Sequence, residues 1–150
     1  MSERFTITLN GQSIDANVGE TVLEVAARAG VEIPTLCHDD RLDPVGCCRM
    51  CLVEVEGQRR LQPACTWAAE PDMTVVSEND RVNKHRRLLL ELYEADHGGG
   101  EGDALAPFDE VVQQAERYGS TGLLDAVQAP RQGRPDPNPY IHFDPDLCIL

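Results

Sequence analysis

The sequence predicts an α+β fold. Three observations carry that prediction: a strand pair joined at Asn10-Gly11, a short amphipathic helix behind a capping box, and a return to strand alternation after Cys51. In the first strand, Arg4 to Leu9, Phe5, Ile7 and Leu9 alternate with Thr6 and Thr8. Asn-Gly is the strongest two-residue hairpin signal, so a second strand carrying Ile14, Ala16 and Val18 should pair back. Thr21-Val-Leu-Glu24 then reads as a capping box. It opens a helix with Val22, Val25, Ala26 and Ala29 on one face and its exit at Gly30.

Strand alternation resumes at Cys51, Val53 and Val55, which face away from Leu52, Glu54 and Glu56, and Gly57 breaks the run. Leu61 and Met73 to Ser77 offer two further short strands. A hairpin, a helix across the sheet and returning strands make the order of a β-grasp. That domain is placed at residues 1–78. Residues 79–97 follow as a packing helix, with Val82, His85, Leu89 and Leu92 on its apolar face. From His97 the composition changes. GGGEGD is glycine-rich, Phe108 to Tyr118 reads as a short helix, and PRQGRPDPNP is a proline-rich connector, so 98–150 is expected to be an irregular, partly helical tail.

Composition excludes several functions. The net charge is −13 and no basic block stands out, which disfavours nucleic acid and anionic membrane surfaces as partners. The amino terminus MSERFTITLN is charged and alternating where a secretory signal would be continuously apolar, and no run approaches the ~20 apolar residues of a membrane span. The expectation is a cytoplasmic protein with no direct membrane insertion. In a reducing compartment, clustered cysteines are metal ligands or redox centres more often than disulfides.

Five of the six cysteines lie between Pro34 and Trp67, at Cys37, Cys47, Cys48, Cys51 and Cys65. Zinc ribbons and knuckles usually bring two Cys-x2-Cys pairs, and this stretch has one. A zinc-stabilised interaction module without redox activity is therefore the alternative reading. A redox-active Cys-x2-Cys would sit near a βαβ pattern, which is missing. A close pair with two outlying cysteines fits the plant-type iron–sulfur layout better, although the first gap here is wider.

The run Pro34-Thr-Leu-Cys37, then Gly46-x-Cys48-Arg49-x-Cys51-x-Val53-Glu54, then Pro63-Ala-Cys65-Thr66, resembles the amino-terminal [2Fe–2S] domain of a family of electron-transfer subunits. These are the large iron–sulfur subunit of NADH:quinone oxidoreductase, the α subunit of NAD-linked formate dehydrogenases, and iron-only hydrogenases. The resemblance covers residues 3 to 97. It implies a ferredoxin-like β-grasp, a [2Fe–2S] cofactor held by Cys37, Cys48, Cys51 and Cys65, and other redox subunits or domains as partners. Gly46 would let backbone amides approach the sulfides. Cys47 falls at a variable position of the motif, and neighbouring side chains in extended backbone point opposite ways, so Cys47 and Cys48 should not both serve one cluster.

The family usually continues with a His-x3-Cys-x2-Cys-x5-Cys site for a [4Fe–4S] cluster. His97 stands at its histidine, but the cysteine positions hold Glu101, Ala104 and Glu110. The region reads as the family module with that cluster removed. The last residues, from Tyr140 to Cys148 and Leu150, resemble the entry to a bacterial ferredoxin-type module. The expectation is a chain cut from a longer subunit, with a possible [4Fe–4S] cluster beyond residue 150.

No glycine-rich dinucleotide fingerprint follows a strand, so the chain is expected to carry electrons without a catalytic site of its own. Its parent would be a formate dehydrogenase-like or NADH dehydrogenase-like oxidoreductase. Among the remaining residues, His38 is expected to be a hydrogen-bonded loop residue and His85 a packed one. Trp67 is assigned to the core, and Arg49 either offsets cluster charge or pairs with an acid.

Overall fold

The computed structural model describes residues 4–96, 109–121 and 139–140. It divides into two compact units, Met1–Arg86 and Arg87–Leu150. In the first, β1 (Arg4–Leu9) and β2 (Gln12–Asn17) form the expected antiparallel hairpin, with Ile7 opposite Ile14. Asn10 and Gly11 both take positive φ, 50° and 79°, the mirror-image turn that matches the twist of the flanking strands. Val18 lies just past β2 and is exposed, so the second strand is one residue shorter than its pattern suggested.

Helix α1 (Val22–Arg28) begins at the predicted capping box. The Thr21 amide donates to the Glu24 carboxylate at 2.6 Å, and the Glu24 amide donates to Thr21 Oγ1 at 3.2 Å. Ala29 becomes the exposed C-cap and Gly30 follows at φ +74°, so the buried face is Val22, Leu23, Val25 and Ala26.

After a long loop come β3 (Leu52–Val55), β4 (Gln62–Pro63) and β5 (Thr74–Val76). The sheet order is β2-β1-β5-β3-β4, with β5 parallel to β1 and antiparallel to β3. Pro63 cannot donate a ladder hydrogen bond, and β4 is accordingly an edge strand. Val22, Leu23 and Ala26 of α1 pack with Leu9, Val53, Val55 and Val75 of the sheet, and Cys51 and Cys65 belong to the same core cluster. Trp67 packs against that cluster while half-buried, as expected. A mixed five-stranded sheet grasping one helix is the α+β, ferredoxin-like β-grasp.

Helix α2 (Asp80–Asp96) opens at Asn79, whose Oδ1 accepts from the Val82 amide at 2.9 Å. Its buried positions correct the sequence reading: they are Val82, Arg86, Leu90 and Glu91, whereas His85 is exposed and Leu92 is half-exposed. The inward stripe runs through an arginine because three backbone carbonyls are there to receive its guanidinium.

In the second unit, α3 (Glu110–Tyr118) is capped by Asp109 and closed by Gly119 in the left-handed region. Thr121 donates through its amide and its hydroxyl to the buried Glu91 at 2.9 and 2.8 Å, and the Ser120 hydroxyl donates to Glu94. His97, Glu101, Ala104, Phe108, Cys148 and the proline-rich connector lie outside the described residues.

Candidate metal centre

Two pieces of chain carry the four candidate cysteines, and the fold brings each piece to the same end of the sheet. The β3–β4 register pairs Leu52 with Pro63, and one step further the Ala64 amide donates to the Cys51 carbonyl at 3.1 Å. Cys51 and Cys65 consequently meet, with their sulfurs 3.4 Å apart and both residues buried. The turn bearing Cys65 is held by the start of α1. The amides of Val22 and Leu23, unpaired within their own helix, donate to the Trp67 and Ala64 carbonyls at 2.9 and 3.0 Å.

The second pair lies in the loop. The Cys48 amide donates to Cys37 Sγ at 3.5 Å. Along 46–50 the residues alternate, with Gly46, Cys48 and Met50 buried and Cys47 and Arg49 exposed. Arg49 sits at φ 58°, which turns the loop toward Cys51. Gly46 has φ +67°, and a Cβ there would lie 3.1 Å from Thr66 Cγ2 and 3.9 Å from Cys65 Sγ. Only glycine lets the loop lie this close to the Cys65 turn.

The two pairs differ electrically. Burial pushes Cys37 up, but amides and thiols of Cys48 and Cys47 donate to its sulfur and bring it below the ordinary thiol value. Cys48 stays raised by burial, although the amides of Met50 and Leu36 donate to its sulfur. Burial, then the neighbouring Cys51 thiol, pushes Cys65 up to about 12. Cys37 can therefore hold negative charge, whereas Cys48 and Cys65 would release protons on taking up metal.

None of the five described cysteines is in a disulfide. A single tetrahedral ion needs its donors around one point, whereas the short contacts among the four candidate thiols lie within two pairs, Cys37 with Cys48 and Cys51 with Cys65. Four thiols in two pairs suit a two-iron unit, in which each iron takes two cysteines. His38 lies beside the loop, half-buried, with Nε2 at 3.3 Å from the Asp40 carboxylate and a buried Nδ1 that has no protein partner.

Fold and donor set together define a [2Fe–2S] electron-transfer domain, and comparison with known proteins agrees. Residues 2–80 match the family described as "2Fe-2S iron-sulfur cluster binding domain", and the chain belongs to it. It is 45% identical over 82% of its length to an NADH-quinone oxidoreductase subunit of Rhizobium meliloti (strain 1021), of which it covers 13%. It is 37% identical over 97% of its length to the HndD subunit of the NADP-reducing hydrogenase of Solidesulfovibrio fructosivorans, covering 26% of that protein. A chain in the crystal structure of NAD+-reducing [NiFe]-hydrogenase in the H2-reduced state superposes with a TM-score of 0.71 at 34% identity, over 85% of this chain and 55% of that one. This chain therefore spans about a quarter or less of these two curated relatives.

Two features of the site were missed in the sequence: the clamp of α1 on the Cys65 turn, and the guanidinium of Arg86 behind the Cys51 segment. The second left a signal, since Arg86 falls four residues after Val82 and four before Leu90.

Proposed function

We propose that Cys37, Cys48, Cys51 and Cys65 hold the [2Fe–2S] cluster, with Cys37 and Cys48 on one iron and Cys51 and Cys65 on the other. The pairing of the four thiols, one pair in the loop and one in the core, carries this reading. When bound, the cluster supplies a one-electron couple. The chain's residues do the rest. Backbone amides steady the loop sulfurs, the core around Cys51 and Cys65 excludes water, and the fixed turns keep ligand geometry constant between oxidation states. Little reorganisation is then needed for transfer.

The chain acts as the front part of a larger oxidoreductase subunit and passes electrons to or from other redox subunits or domains. Between a formate dehydrogenase-like and an NADH dehydrogenase-like parent, the latter has the support of the Rhizobium meliloti relative. Residues 1–78 form the cluster domain, 79–97 its packing helix and 98–150 a connector. The location is cytoplasmic, consistent with the lack, among the described residues, of any helix long and apolar enough to cross a membrane.

Serine substitution tests the ligand set. Replacing any one of the four cysteines should abolish the visible charge-transfer absorption of the anaerobically purified chain or change it severely. An unaltered spectrum in any of these variants removes that residue from the set.

A further inference from the structure

Arg86 is one of the most deeply buried side chains of the molecule, at 1% exposure, and it comes from a helix that contributes no cysteine. Its Nε donates to the Met50 carbonyl at 3.2 Å, and one terminal nitrogen donates to the carbonyls of Leu52 at 3.1 Å and Ser77 at 2.9 Å. Met50 and Leu52 are the residues on either side of Cys51. Ser77 is itself held in place, because its amide donates to Asn10 Oδ1 and its hydroxyl accepts from Asn10 Nδ2, each at 2.8 Å. One guanidinium therefore ties the Cys51 segment to the end of β5 and to α2.

Met50 is bound at both ends. Its amide donates to the Cys48 sulfur while its carbonyl accepts from Arg86. Because the peptide is planar and trans, fixing the Met50 carbonyl toward Arg86 aims the Cys51 amide the opposite way. A guanidinium also remains charged at every ordinary pH. In a buried setting its field is weakly screened, and it lies one peptide from a cluster ligand. Reduction of the cluster adds one negative charge, which a nearby fixed cation favours.

We propose that Arg86 is a positioning residue for the cluster: its fork fixes the Met50–Leu52 backbone around Cys51, and its charge keeps the reduction potential up. This rests on the assignment of Cys51 as a ligand. The fork and the charge are separable, because lysine keeps the charge without the fork, and methionine keeps neither.

The test is an anaerobic redox titration of the full 150-residue chain, followed by electron paramagnetic resonance, for wild type, Arg86→Met and Arg86→Lys. The methionine variant should shift the one-electron reduction equilibrium at least tenfold toward the oxidised form, about 59 mV lower for a one-electron couple. Lysine should restore most of that shift yet lose its iron several-fold faster than wild type under a chelator, because the fork is gone. Unchanged potentials in both variants, or equal shifts in both, overturn the proposal, as does a lysine variant that keeps its iron as long as wild type.

If the methionine variant assembles no cluster, Arg86→Gln takes its place. Assembly in the lysine variant but in neither neutral one supports the role of charge. Failure of all three leaves an ordinary structural arginine and overturns the proposal. Wild type measured alongside separates the claims. A wild type without a two-iron cluster overturns the cluster reading and this inference together, whereas a normal wild-type cluster with unmoved variant potentials overturns this inference alone.

Discussion

Cys47 and Cys48 are adjacent, and although both thiols reach the Cys37 sulfur, Cys48 is buried while Cys47 is exposed. Cys47→Ser should therefore retain the two-iron cluster, and Cys48→Ser should lose or severely destabilise it. Iron and sulfide analysis of the two variants, expressed identically, checks the contrast, and an iron-free Cys47 variant would reverse the assignment. The sequence already held this choice, since strand-like alternation allows only one of the two and the x2 spacing to Cys51 selects Cys48. It held nothing comparable for Arg86. A charged side chain reads as solvated until the carbonyls that receive it are known, and two of the three lie 34 and 36 residues away along the chain. The same difficulty misplaced His85, because moving the apolar stripe by one position on a helix exchanges a buried residue for an exposed one.

Glu20 shows a different kind of control. Its carboxylate accepts from Arg28, the Asn17 amide and the Asn17 side chain, and the Arg28 guanidinium first among these lowers its pKa from 4.5 to about 2. A carboxyl lowered by folding stabilises the fold above its unfolded value, and that stabilisation fades as pH falls from 4.5 toward about 2. Arg28 is 44% exposed, so solvent screening keeps the contribution of the pair small. Glu20→Gln should be slightly less stable than wild type at pH 7, and the gap should close in acid. Urea unfolding at a series of pH values measures it.

The elements that matter most to the site are the least regular ones. Helix α1 was legible from its capping box, and that box does more than start a helix: it sets the amides of Val22 and Leu23 against the Cys65 turn. Thr21→Ala should cost about 1 kcal/mol of stability and speed iron loss to a chelator. The loop of 37–50 carried no pattern beyond its cysteines and Gly46, because its course is set by contacts with Thr66 and by amides pointing at sulfur, which have no sequence period. Gly46→Ala combines a left-handed φ with a 3.1 Å contact, and should destabilise the cluster-bound chain by about 1 kcal/mol or more. Thermal unfolding and iron retention, taken together, report both effects. Strand order was readable as far as the hairpin. The parallel pairing of β1 with β5, in contrast, joins residues too far apart in the chain for local signals to specify.

Across the whole chain, the cluster domain and the helix after it are legible from local pattern and cysteine spacing, while the rest depends on which family features the sequence has dropped. Glu101, Ala104 and Glu110 stand at the three positions where the family's second site has cysteines. His97→Ala should leave iron content unchanged, and a loss of iron would reveal a further ligand set. Everything above turns on one [2Fe–2S] cluster seated on the first unit. Iron and labile-sulfide analysis of protein purified without oxygen, with electron paramagnetic resonance of the dithionite-reduced sample, puts that to the test. Two irons and two sulfides per chain are expected, with a spectrum from a single reduced [2Fe–2S] centre. Stoichiometric zinc without iron, or a spectrum showing only [4Fe–4S] signals, would contradict it.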